Sequence, residues 1–207
     1  MSVTAAELWR RNSDLAHACL GHPFVQGIAS GDLARERFQV YVAQDAYFLE
    51  AFARAYGLAL ARCPDREGLA VFKDLLVGVF EELRLHRTYA ERWRISLEPE
   101  PLAATSAYCD FLLRTASLEP VGHTVAAMTP CMRLYGFLGQ KLAPKLDPKS
   151  PYHEWVETYS SADMEALASR LEALLDSYGG DPDHLAYLYR RAMELEFAFF
   201  QAAWEAT

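Results

Sequence analysis

Apolar residues recur three and four positions apart along almost the whole chain, and nowhere alternate for long enough to suggest a strand. The spacing predicts a first helix from Thr4, whose Thr4-x-x-Glu7 has the capping-box pattern, to about Leu20. Gly21 to Gly31, containing His22-Pro23-Phe24, reads as a loop. Asp32 then caps a long helix reaching about Ala61, ended by Cys63-Pro64, and a third long helix spans Glu67 to Trp93. Leu97 to Ala103, with Pro99 and Pro101, is a connector. Helices follow at Ala104–Ala116 and Val121–Lys141, the second interrupted by Pro130. After a loop from Ala143 to Pro151 come a short helix ending near Tyr159 and another from Asp163 to Tyr178. Gly179-Gly180-Asp181-Pro182 is a firm break before the last helix, Asp183–Glu205. No internal repeat and no long linker interrupt this series. The expectation is an all-α helical bundle forming a single domain over residues 1–207.

Composition narrows the function classes. A hydrophobic fraction of 52% over 207 residues fills one sizeable core. A formal net charge of −8 argues against sequence-independent nucleic-acid binding and against docking on anionic lipid, because both need a basic footprint. The opening Met-Ser-Val-Thr-Ala-Ala-Glu lacks a basic stretch followed by an apolar run, and no segment approaches the ~18 apolar residues of a membrane span. Cys19, Cys63, Cys109 and Cys131 are scattered, with no CxxC and no paired metal spacing. They read as reduced thiols, and the expected location is cytoplasmic.

The informative residues are those whose type disagrees with their position. Asp45 falls inside the stripe of Phe38, Tyr41, Phe48, Leu49 and Phe52. Glu82 sits among Leu75, Val79, Leu85 and Tyr89, and Glu196 among Tyr189, Met193, Phe199 and Phe200. A carboxylate facing the core is costly unless hydrogen-bonded, paired or protonated. Singly, each could brace helices through a buried bond. Three together suggest a polar pocket inside the bundle. Cys131 follows Pro130 on an apolar face, with Tyr135 one turn on; a lone helical cysteine is ordinarily inert packing. Aromatic rings cluster near these positions, including Tyr41, Tyr47, Phe48, Tyr108, Tyr135, Tyr159 and Phe199. Rings with a few acids suit a flat, basic, nitrogen-rich heterocycle that stacks and donates hydrogen bonds.

Several segments, in order and at matching spacing, resemble one family. They are His22-Pro23-Phe24-Val25-Gln26-Gly27-Ile28 with Gly31-Asp32-Leu33, Tyr41-Val42-Ala43-Gln44-Asp45, and Glu82 with His86. Further on come Thr129-Pro130-Cys131-Met132-Arg133-Leu134-Tyr135, Trp155-Val156-Glu157-Thr158-Tyr159 and Glu196-Phe197-Ala198-Phe199-Phe200. Over nearly its whole length the chain resembles TenA, the thiaminase II or aminopyrimidine aminohydrolase family. The resemblance implies a haem-oxygenase-like helical fold, usually a homotetramer; no cofactor is expected, and the chemistry requires no metal. It implies hydrolysis at the pyrimidine moiety of thiamin or of its breakdown products, commonly 4-amino-5-aminomethyl-2-methylpyrimidine. By the same resemblance Cys131 corresponds to the nucleophile, Glu196 to the acid/base and Asp45 to the pyrimidine-binding aspartate. Tyr108, Tyr135 and Tyr159 align with pocket tyrosines, while Tyr47, Phe48, Glu82 and Phe199 complete the expected substrate site. Many members carry tyrosine where this chain has Phe48, and tryptophan where it has Phe200; both departures bear on substrate preference.

The residues fit that chemistry independently. A thiolate adding to an electron-poor ring lets a leaving group depart from the exocyclic methylene, and water then completes the exchange. Asp45 would accept from the amino-pyrimidine edge, and Glu196, in an apolar stripe, should have a raised pKa. Three other classes compete. A di-iron carboxylate bundle normally carries two Glu-x-x-His motifs, and this chain has none. A haem protein of the same fold would use a histidine such as His17 or His22. A regulator would bind the pyrimidine without turnover.

Overall fold

The structure, a computed structural model, describes residues 3–206. Ten α-helices and one short 3-10 turn make up its regular structure, with no strand among the described residues. The helices are α1 (Ala5–Arg11), α2 (Ser13–Gly21), α3 (Pro23–Ser30), α4 (Arg35–Arg62), α5 (Arg66–Trp93) and α6 (Ala103–Leu118). They continue as α7 (Val121–Leu142), α8 (His153–Tyr159), α9 (Ala162–Tyr178) and α10 (Pro182–Glu205). The all-α expectation is met.

Three local expectations are corrected, each for a reason in side-chain or backbone chemistry. The first predicted helix is two helices parted at Asn12, whose side-chain amide donates to the Leu8 carbonyl at 2.9 Å. Such local bonding competes with the helical ladder. The predicted loop from Gly21 to Gly31 is helix α3. His22 caps it by accepting from the Phe24 N–H at 3.1 Å, and Pro23 occupies the first turn, where its missing N–H costs nothing. Gly31 closes α3 in the left-handed conformation at φ 80°. Asp32 consequently does not cap the long helix that follows: α4 begins after Ala34, without a side-chain cap. Pro130 does not end α7, which runs on to Leu142. It withholds only the N–H that would have met the Ala126 carbonyl.

The two 28-residue helices α4 and α5 lie side by side, with α6 on the other flank of α4. Helix α7 packs against α8, α9 and α10, and α10 closes the bundle by also touching α4 and α6. Phe24, Phe38, Phe52, Tyr56, Phe72, Tyr189 and Phe200 are fully buried in one continuous apolar core. Against that background Asp45, His86 and Glu196 are buried polar groups, at 4%, 4% and 2% exposure. A fold that buries them must satisfy them.

Candidate active site

Between α4, α5, α7 and the α8–α9 corner lies a cavity of about 430 Å³. That falls in the range of about 300–1,000 Å³ common for small-molecule sites. Asp45, Phe48 and Phe52 enter it from α4, Glu82 and Val79 from α5, and Cys131 and Tyr135 from α7. Tyr159 closes one side, with Met164 and Leu167 of α9 beyond it. Every one of these side chains comes from the core-facing stripe of its helix.

The charge arrangement starts with His86. Its Nδ1 lies 2.9 Å from the Glu82 carbonyl oxygen, which only accepts, so Nδ1 carries a proton. Its Nε2 lies 2.8 Å from Asp45 Oδ2. Burial disfavours the imidazolium, but the hydrogen bond to Asp45 and the charges of Asp45 and Glu82 outweigh it, so the His86 pKa is raised. With Nδ1 protonated, the proton of the Nε2–Asp45 hydrogen bond is shared between the two groups, an arrangement that favours the imidazolium, and the second Asp45 oxygen is left for whatever enters the cavity. Glu82 accepts a short hydrogen bond from the Tyr159 hydroxyl. Burial first, and then the Asp45 charge, push its pKa upward against the opposing pull of His86 and Tyr159.

A third acid adjoins the Cys131 sulfur. Glu196 Oε1 accepts from the Tyr108 hydroxyl at 2.7 Å, and the Cys131 thiol lies within hydrogen-bonding reach of the same carboxyl. Burial pushes Glu196 up to about 7, against the lowering effect of those two hydrogen bonds. The Cys131 thiol is held well above its ordinary range, by burial first and then by the charges of Glu196, Glu82 and Asp45. Cys131 thus rests as a thiol and needs a base within reach to become a nucleophile. The Glu196 carboxyl is the acid within hydrogen-bonding reach of that thiol.

Of the residues picked out in the sequence, Asp45, Phe48, Glu82, Cys131, Tyr135 and Tyr159 line the cavity together. Glu196 and Tyr108 stand immediately behind Cys131, joined to each other. Phe199 supports the wall from behind, its ring 5.9 Å from those of Phe48 and Tyr41. Tyr47, expected in the substrate site, does not line the cavity and is 40% exposed. Two residues beyond Asp45 on a helix is about 200° around the axis, so the two side chains point apart. His22 is not poised as a haem ligand, because Nδ1 caps α3 and Nε2 bonds Gln201 at 2.8 Å.

The sequence assigns His86 no role beyond its place beside Glu82 in the family resemblance. It also passes over Tyr56, three turns along α4 from Asp45. Its hydroxyl is buried with no hydrogen-bond partner among the described residues, within the electrostatic influence of Cys131 and Glu82. The outer wall, Met164 and Leu167 of α9, carries no local signal, because only the tertiary fold brings it to the cavity.

The sequence pattern of the TENA/THI-4/PQQC family matches residues 9–206. The chain belongs to that family. It is 35% identical over 179 residues to the aminopyrimidine aminohydrolase of Halalkalibacterium halodurans, covering 83% of this chain and 80% of that one. It is 36% identical over 208 residues to the bifunctional TH2 protein, mitochondrial, of Arabidopsis thaliana, covering 87% of this chain. It spans about a third of that longer protein, 34% of its length. Among solved structures, a TenA homologue from Pyrococcus furiosus superposes with a TM-score of 0.90 at 24% identity, covering 96% of this chain and 98% of that one. A Shewanella denitrificans domain with a heme oxygenase-like fold superposes at 0.77 and 12% identity, covering 99% and 93%, and extends the likeness in fold alone. The resemblance read from the sequence segments and the TENA/THI-4/PQQC match therefore agree on family and on fold.

Proposed function

We propose that this chain hydrolyses the pyrimidine moiety of thiamin or of its breakdown products, releasing a hydroxymethyl pyrimidine. The observation that carries the reading is the Cys131–Glu196–Tyr108 arrangement on the wall of a cavity that also presents Asp45. The relatives named aminopyrimidine aminohydrolase support the substrate class.

In the proposed sequence Asp45 accepts from the exocyclic amino group of the pyrimidine, while the rings of Phe48 and Tyr135 pack against its faces. Glu196 takes the Cys131 proton, and the sulfur forms a bond to the ring carbon next to the substituted one. The electron pair displaced into the ring then expels the group on the exocyclic methylene, and Glu196 delivers the proton that leaves with it as ammonia. Water adds to the exposed methylene and gives its proton to Glu196. The carbon–sulfur bond breaks, the ring regains aromaticity, and Glu196 returns the proton to sulfur. The net change is one water consumed and one amine released, with no oxidant or reductant. A group near pKa 7 suits a role that alternates between accepting and donating at neutral pH.

No helix among the described residues is long and apolar enough to cross a membrane. A homotetramer is the assembly we expect from the family resemblance, a single domain is expected from chain length, and a cytoplasmic location from the scattered thiols. The deciding experiment is ammonia release from 4-amino-5-aminomethyl-2-methylpyrimidine, compared with thiazole release from thiamin, using the purified chain. Turnover of either supports the reading. A folded protein that binds the pyrimidine and turns over neither is a binding protein instead.

A further inference from the structure

Away from the cavity, a second cluster of chemically capable side chains meets at the corner where α6, α7 and α10 adjoin. Glu119 caps the C-terminus of α6, His123 lies in the first turn of α7, and His184 lies in the first turn of α10. Both imidazoles address one carboxylate oxygen: Glu119 Oε2 is 3.1 Å from His123 Nδ1 and 2.7 Å from His184 Nε2. The ring centroids are 4.7 Å apart, and all three potential ligand atoms lie within 4.8 Å of one another.

The backbone is shaped to allow this meeting. A Cβ at position 122 would overlap the Gly179 carbonyl oxygen, and one at position 180 would stand 2.7 Å from the His123 ring. Because both positions are glycine, the turn between α9 and α10 settles directly on the start of α7. Asp181 then fixes the first turn of α10 by accepting from the His184 N–H at 2.9 Å. His123 and Glu119 are mostly covered, with side chains 15% and 17% exposed, while His184 at 37% leaves an open side.

We propose that Glu119, His123 and His184 form a binding site for a divalent transition-metal ion of the zinc class, separate from the reaction cavity. Two imidazoles and one carboxylate are a donor set suited to zinc, nickel or copper, whereas magnesium and calcium favour oxygen. Metal–ligand bonds of about 2.0–2.1 Å place neighbouring ligand atoms roughly 3.0–3.4 Å apart. The two nitrogen–oxygen separations already approach that spacing, and only the nitrogens need to close together. Water would fill the remaining positions through the open side at His184.

Two features oppose a cation. The starts of α7 and α10 carry the positive ends of their helix dipoles, an effect that fades within a turn. Arg114 stands 3.7 Å from Glu119 Oε1, but its side chain is 70% exposed and free to swing into solvent. Neither blocks the coordinating atoms. An ion here would tie three elements together about 12 Å of helix rise from Cys131, so it would stabilise the bundle without entering the reaction.

The test uses the full chain without a histidine tag, stripped with chelator and desalted. Titration with Zn²⁺ by calorimetry should show saturable uptake of one ion per chain, weakening as the pH falls through the histidine range because bound protons compete. Saturating Zn²⁺ should raise Tm by about 5–10 °C, and Mg²⁺ should do neither. The double variant His123→Gln/His184→Gln should lose affinity by about 100-fold or more, since outer-shell changes alone cost 10–100-fold. It should keep its turnover, because neither histidine lines the cavity. Absence of saturable uptake, or equal uptake by the double variant, overturns the site. The visible spectrum of the Co²⁺-loaded native chain tests the ligands without mutation: a nitrogen–oxygen spectrum is expected, and a thiolate charge-transfer band would assign the ion to a cysteine and overturn the proposal.

Discussion

Replacing Glu196 by glutamine separates catalysis from packing within one variant. The amide keeps the shape, and its carbonyl still accepts from Tyr108, but it exchanges no proton with Cys131. The Glu196 pKa rises from 4.5 to about 7, and at about 1.36 kcal/mol per unit the charged form costs roughly 3 kcal/mol in the folded protein. The linkage follows from the sign of that shift. A carboxyl raised in the folded state contributes its full stability below pH 4.5 and loses it as the pH climbs through about 7. Glu196→Gln removes this loss, so at pH 8 the variant should unfold no more easily than the native chain. The difference between the two should narrow or reverse below pH 5. Turnover should fall by about 10²–10⁴, the usual worth of general acid–base catalysis, with pyrimidine affinity nearly unchanged. Steady-state ammonia release and chemical denaturation at pH 5 and pH 8 measure both. A variant that loses stability at pH 8 while keeping its rate per folded molecule would show that Glu196 braces α10 and does no proton transfer.

Other substitutions probe the partners of Glu196. Cys131→Ala should abolish turnover by several powers of ten while leaving the fold and pyrimidine binding in place; near-normal ammonia release would end the covalent mechanism. Asp45→Asn should weaken pyrimidine-product binding by about 1.5–3 kcal/mol in calorimetry, and an unchanged affinity would reduce Asp45 to a helix brace. His86→Gln strips the buried partner from Asp45 and should cost about 3–5 kcal/mol of stability in denaturant. Because the His86 pKa is raised in the fold, that loss should be largest below pH 6.5 and shrink as the pH climbs past the folded value. A loss independent of pH would contradict the imidazolium–carboxylate assignment.

Much of the site was legible because a carboxylate in an apolar stripe is an anomaly that periodicity exposes. Asp45 and Glu196 stood out for that reason, and the fold buries both. Tyr47 was misplaced because aromatic richness near Asp45 was weighed without the helical angle between them. The α3 segment was misread because glycines and a proline at its ends look like loop chemistry, although a capping residue, Pro23 and a left-handed Gly31 are also how a short helix starts and stops. Its residues Phe24, Val25 and Ile28 are fully buried, so tertiary packing stabilises a helix too short to persist alone. The pairing of His86 with Asp45 spans 41 residues and two helices, and no local pattern reports it.

The protonation states now bear on what the cavity will accept. Beside it His86 and Asp45 share a buried hydrogen bond that favours the imidazolium and leaves the pair with no net charge. Glu82 and Glu196 are both pushed toward their neutral forms, and each ionised acid makes the other harder to ionise. Cys131 is protonated at rest for the same reason. The lining also includes Glu81 of α5 and Asp163 of α9, and it contains no lysine, arginine or histidine. Under the proposed function an amino-pyrimidine meets one ready acceptor and several acids, which suits a neutral or protonated amine. A phosphate ester would instead bring up to two negative charges beside Asp45 with no unpaired cation to receive them. Under the proposed function a phosphate would therefore give up its water for a lining that offers no cation, whereas the amino group of the pyrimidine meets Asp45, so the unphosphorylated pyrimidine is the better-matched ligand.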